Sequence, residues 1–95
     1  MPLSQFANEP VDARFEMRFD ADVQTLMRFL EAFALRGVMP RQVRLDSDDD
    51  LACLVMRARL GAHDAQVLAT RLSTAFGVFE VSWRAEVPAA VALRA

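Results

Sequence analysis

The six residues Arg14-Phe15-Glu16-Met17-Arg18-Phe19 alternate strictly between charged and large apolar side chains. Only an extended strand with one buried face puts every member of such a series on its proper side. The same period of two recurs three times. Val43 and Leu45 alternate with Gln42 and Arg44 after Pro40, which bars a helix there; Ala52, Leu54, Met56, Ala58 and Leu60 share one face of residues 51–60. Phe79, Val81, Trp83 and Ala85 are expected inward in residues 78–86, with Glu80, Ser82, Arg84 and Glu86 outward. Between these strands the period changes to that of a helix. Val23, Leu26, Met27, Leu30, Phe33 and Ala34 recur up to Gly37, with Asp20 expected as the N-cap, Asp22 in the first turn and Gly37 as the stop. Ala65, Leu68, Leu72, Ala75 and Phe76 repeat up to Gly77, with Asp64 in the first turn.

The order strand, helix, strand, strand, helix, strand predicts a ferredoxin-like α+β sandwich. Four antiparallel strands form one sheet and both helices lie on one of its faces. Residues 13–87 are expected to form this domain, with residues 1–12 a loose leader and residues 88–95 a short tail. At 95 residues and 54% hydrophobic content the chain holds one domain and is too apolar for intrinsic disorder. A net charge of -2 is no footprint for neutralising phosphates, so a nucleic-acid partner is not expected. The one cysteine, Cys53, excludes an internal disulfide. No apolar run reaches the ~18 residues of a membrane span, and no signal-peptide pattern begins the chain, so a cytoplasmic protein without membrane attachment is expected.

No side chains assemble into a recognisable catalytic or metal-binding motif. The predicted open face of the sheet carries Arg14, Glu16, Arg18, Cys53, Val55, Arg57 and Arg59, while Phe15 and Phe19 point toward the helices, so no aromatic platform for stacking bases is expected. An enzyme using these arginines would depend on Arg57 in particular. Asp46, Asp48, Asp49 and Asp50 lack the central Gly and final Glu of a calcium loop and read as a solvated turn. His63 reads as a helix-entry residue and Cys53 as a small packing residue. Phe29 and Val67 lie toward or beyond the flanks of the two apolar stripes and are candidate subunit contacts. One site follows from topology. The loop into the first helix should end at free N–H groups of Ala21, Asp22 and Val23, an anchor for a small carboxylate, with Asp20 and Asp22 placed to repel it or to hold an ammonium group.

The stretch Arg18-Phe19-Asp20-Ala21-Asp22-Val23-Gln24-Thr25-Leu26-Met27-Arg28-Phe29-Leu30, followed by Leu35-Arg36-Gly37-Val38, resembles the first strand-helix unit of ACT domains, especially those of short acetolactate synthase regulatory subunits. Residues 71–81, RLSTAFGVFEV, are similar to the second helix and last strand of that group. The resemblance implies a non-catalytic module without a cofactor of its own. It implies a homodimer paired through sheet edges, and an amino-acid ligand held at Asp20, Ala21, Asp22, Val23 and Gln24 beside a neighbouring subunit. It further implies a partner, the large thiamine-diphosphate-dependent catalytic subunit of branched-chain amino-acid biosynthesis. Ligand-binding members carry a Gly at the position of Gln24 and often an Asn at that of Ala21, and both are replaced here. The alternative implied is a stand-alone amino-acid sensor.

Overall fold

A computed structural model of the chain describes residues 8–75 and 77–86. The elements are β1 (Pro10–Asp20), α1 (Val23–Leu35), β2 (Gln42–Ser47), β3 (Leu51–Gly61), α2 (Ala62–Ser73) and β4 (Val78–Glu86). The strands form one antiparallel sheet in the order β2-β3-β1-β4, the expected ferredoxin-like arrangement. Registers Phe15↔Met56 and Met17↔Leu54 put the apolar members of the two central strands on one face, where each is fully buried. The helices cover that face. Phe33 of α1 meets Phe15 edge-on at 5.2 Å between ring centroids, and Phe29 meets Phe19 edge-on at 4.9 Å. Trp83 stacks beside Phe15 at 6.4 Å, and its indole N–H donates to Gln66 Oε1 of α2 at 3.0 Å, tying β4 to the helix above it.

Four expectations need correction. The strand begins at Pro10, so residues 8–12 are docked rather than a loose leader. The alternation extends upstream through half-buried Val11, and Asn8 Oδ1 accepts from the Asp64 N–H at 3.1 Å. Asn8 thereby caps α2 from outside, because the N-cap residue Gly61 has no side chain to do so; a Cβ at Gly61 would collide with the Asn8 carboxamide. Residues 1–7 and the tail 88–95 lie outside the described residues, as does Phe76; α2 itself ends at Ser73.

Asp22, not Asp20, caps α1. Asp20 closes β1, and the Asp22 carboxylate accepts from the Gln24 N–H at 3.0 Å. Gly37 follows the C-cap Arg36 at φ 67°, the left-handed stop its position suggests.

The buried face of α1 is rotated from the one expected. Thr25, Phe29 and Phe33 are buried, whereas Val23 and Met27 are 69% and 54% exposed. Nearly every side of this helix carries apolar residues, so periodicity alone leaves the facing ambiguous. The two phenylalanines, which bury the most area, take the slots opposite Phe15 and Phe19. Phe29 is therefore core and not a subunit contact.

Phe79 is 60% exposed and Ala85 is also exposed, while Val81 and Trp83 do pack against the core. The pairing of β1 with β4 slips between Arg18↔Glu80 and Phe19↔Val78, and this bulge takes Phe79 out of the inward series.

The β2–β3 hairpin turns on Asp48, whose Oδ1 accepts from the N–H groups of Asp50 at 2.9 Å and Leu51 at 2.8 Å. These bonds hold its carboxyl below the ordinary value of 3.8. On the uncovered face, Arg57 Nε donates to Glu86 Oε1 at 2.8 Å and lowers that carboxyl from its ordinary 4.5.

Two predictions follow from this packing. Phe29→Ala should cost about 3–5 kcal/mol in urea denaturation, and Met27→Ala less than about 1 kcal/mol, the reverse of what the sequence stripe implies. Because the folded values of Asp48 and Glu86 are lowered, their stabilisation is complete above 3.8 and 4.5 and is lost as pH falls through the lowered values. Asp48→Ala and Glu86→Gln should thus unfold at lower urea than the parent at pH 7, the latter by at most about 1 kcal/mol. Denaturation midpoints measured down the acid range should converge.

Candidate functional site

The loop Asp20–Asp22 joins the end of the central strand to the start of α1, and its backbone is pinned on both sides. The Asp20 N–H donates to the Gly77 carbonyl at 2.9 Å and the Ala21 N–H to the Asp50 carbonyl at 3.0 Å. The Asp22 N–H donates to the Asp20 carbonyl at 2.6 Å, and the Gln24 N–H to the Asp22 side chain. Of the three N–H groups expected to anchor a carboxylate, those of Ala21 and Asp22 are already bonded, which leaves Val23. A full anion cradle is therefore not formed here.

A recess of ≈ 320 Å³ nonetheless lies against this loop, between the start of α1 and the end of β2. Ala21, Asp22 and Val23 line it with Leu26, Leu45 and Asp48. Asp20 and Gln24, the other two candidates, do not. The charges around it are those of Asp22, Asp48 and Asp49, with no arginine among its lining residues, so its field favours a cation over a carboxylate.

The remaining candidates separate cleanly. Arg57 is held by Glu86 and by Gln42 Oε1, which makes it part of the sheet surface rather than a poised catalytic group. Arg14 pairs with Glu16 at 3.2 Å and Arg59 with Asp12 at 3.3 Å. His63 is exposed at the second position of α2, and Cys53 is half-buried on the uncovered face opposite Arg18. Val67 is half-buried on α2. Among the described residues no three His, Cys, Asp or Glu side chains gather where a metal could sit. None of the described helices is long and apolar enough to cross a membrane.

Val43 and Leu45, whose alternation places them inward, are not covered. Val43 and Leu45 face the helix side, opposite Met56 and Leu54, and are still 50% and 44% exposed because neither helix reaches over β2. The signal lay in the topology: an edge strand has a neighbour on one side alone, and two helices do not roof four strands equally.

No curated protein sequence matches the chain. Among solved structures, the ACT domain from GTP pyrophosphokinase of Chlorobium tepidum matches with a TM-score of 0.70 at 14% identity, covering 80% of this chain and 100% of that one. The regulatory subunit of aspartate kinase from Thermus thermophilus matches with a TM-score of 0.58 at 14% identity, over 82% of this chain and 53% of that one. A homoserine dehydrogenase from Thiobacillus denitrificans contains the same fold, with a TM-score of 0.70 at 6% identity over 18% of its length. Identities this low establish the fold alone. A family model described as an ACT-like domain matches residues 6–90, and with nine-tenths of its length so covered the chain belongs to the ACT-like domain family, a family of regulatory, amino-acid-binding modules.

Proposed function

We propose that this chain is a non-catalytic regulatory module that acts through protein contact along the β2 edge, first with a second copy of itself. The observation that carries the reading is the coincidence of an open strand edge with an apolar shoulder. Val43 and Leu45 of β2 are 50% and 44% exposed, and Val23 of α1, 69% exposed, lines one recess with Leu45. A free edge invites pairing, and exposed apolar area beside it supplies the driving force. The β4 edge lacks such a shoulder, because α2 reaches it through Gln66 and Trp83. A twofold axis at β2 would pair the two copies of that strand antiparallel, extend the sheet to eight strands and bring the two α1 helices together. It would also close the recess beside Asp22 with residues of the second copy.

The finer reading is a regulatory subunit similar to the small subunit of acetolactate synthase, supported by the resemblance of residues 18–30, 35–38 and 71–81. The Gln24 N–H is occupied by Asp22, and no glycine opens that turn to a ligand, which favours contact with a catalytic partner over strong amino-acid feedback. A second reading, a stand-alone amino-acid sensor, is favoured by the acidic recess, where Asp22 and Asp48 would receive an ammonium group.

On a sizing column with light scattering, the chain should elute near twice 10.6 kDa at micromolar concentration. Leu45→Arg should give a folded monomer, and a monomeric parent would sink the edge-pairing reading. Acetolactate production by the catalytic subunit from the same genome should rise when the chain is added and respond little to valine. An unchanged rate, together with a thermal upshift from one amino acid, would select the sensor; ligand at a hundredfold its Kd stabilises by about 2.7 kcal/mol.

A further inference from the structure

The sheet face turned away from the helices carries a second recess, of ≈ 610 Å³, at the end where the β2–β3 hairpin turns. Leu51, Cys53 and Phe79 give it an apolar floor. Leu51 is 52% exposed and Phe79 60%, large apolar surfaces on a face elsewhere covered by ion pairs. Phe79 reaches this face through the bulge in β4: Phe79 and Glu80 together occupy the stretch opposite Arg18, where one residue would ordinarily stand. Bulges re-aim side chains and concentrate beside functional sites. The ring and the leucine beside it form apolar surface that none of the described residues covers, and such patches mark places where another molecule packs.

Charge narrows the choice of molecule. The strand ends and the turn that meet at this end of the sheet carry Asp20, Asp46, Asp48, Asp49, Asp50 and Glu80 against Arg18 and Arg44. Both arginines are already engaged, Arg18 with Glu16 at 3.9 Å and Arg44 with Asp46 at 3.1 Å. Glu80, the register partner of Arg18, is in no ion pair among the described residues. The rim of the recess is thus acidic, and the one arginine that lines it is held elsewhere. Phosphate and anionic lipid surfaces are repelled by such a field. Among the described residues no three of these carboxylates gather where a metal could sit, so the charge is spread along the rim rather than focused on an ion.

We propose that this recess docks a protein partner through a short basic segment: an apolar side chain of the segment fills the hollow over Phe79 and Leu51, and flanking arginines or lysines meet Glu80, Asp46 and Asp48. An aromatic anchor at the centre with charge at the rim is the anatomy of a protein contact. Opposed charge steers the encounter and fixes its orientation, while the desolvated ring holds the complex. A second copy of this chain is a poor occupant, because the arginines of its own uncovered face, Arg14, Arg57 and Arg59, are held by Glu16, Glu86 and Asp12. The inference rests on the reading of the chain as a module that acts by protein contact, and it gives that module a second surface, on the sheet face opposite the helices and separate from the β2 edge.

The purified chain is titrated with the end-capped peptide Gly-Arg-Leu-Arg-Leu-Arg-Gly while backbone amide resonances are followed by NMR. Two counterparts serve as controls, one with glutamate for every arginine and one with glycine for every leucine. Saturable shifts are expected at Leu51, Cys53, Phe79 and Glu80, and the affinity should fall as salt rises from about 50 to about 300 mM. Both control peptides should bind at least about tenfold more weakly, as should the basic peptide to Phe79→Ala and to Glu80→Lys; Glu31→Gln on the outer side of α1 should bind as the parent does. All three altered positions are exposed, and the amide spectrum reports whether each variant is folded. The proposal is overturned by the absence of saturable shifts, by equal binding of the leucine-free peptide, which would mark charge alone, by shifts confined to residues 21–26, or by a folded Phe79→Ala that keeps the parent affinity. A monomeric elution with the peptide bound at Phe79 would defeat edge pairing alone, and a dimer that ignores the peptide would defeat this site alone.

Discussion

Strand β1 is the member on which everything else is assembled. It pairs with β3 over its whole length and with β4 from Asp12 to Phe19, and its inward residues Ala13, Phe15, Met17 and Phe19 are at most 1% exposed. Two of them receive the phenylalanines of α1 edge-on, and Phe15 also stacks with Trp83 of β4. Each such ring carries on the order of 1.5–3 kcal/mol of burial. Because the rings interlock, the rotation of α1 is decided at these contacts, and with it the side of the helix left exposed.

That consequence reaches the functional surfaces. Turning Phe29 and Phe33 inward leaves Val23 and Met27 outside, and Val23 shares a recess with the unroofed Leu45 of β2. The apolar shoulder at the β2 edge is therefore a product of core packing rather than of an exposed hydrophobic motif. The opposite face of the sheet is governed by charge. Arg14 with Glu16, Arg57 with Glu86 and Arg59 with Asp12 cover most of it with pairs that are individually weak and together leave no charge unanswered where they stand. At the bulge an aromatic ring, Phe79, joins this face instead.

Much of this was legible in the residue order. Strict alternation identified four strands and the faces of the two central ones, and Arg14, Glu16, Arg18, Cys53, Val55, Arg57 and Arg59 do share the uncovered side. Gly37 stops α1 as its position implies. The loop after β1 was legible as a place and not as a chemistry: Ala21, Asp22 and Val23 line a recess, but the carbonyls of Asp50 and Asp20 take N–H groups that a sequence shows as free. Asn8 as a cap for α2 could not be read, since the acceptor and donor are 56 positions apart.

The sequence by itself determined the alternation of periods two and 3.6, and through it the element order, the sheet and the side of each central strand that is buried. These follow from local geometry, in which a residue's neighbours along the chain dictate where its side chain points. Tertiary structure decided which flank of α1 meets the sheet, which of Asp20 and Asp22 caps it, where β4 slips against β1, and which strand edge stays apolar and open. Each of those is a choice among nearly equal local options, settled by contacts between residues far apart in the chain: rings that fit one another, carbonyls that reach an N–H first, and two helices too few to cover four strands.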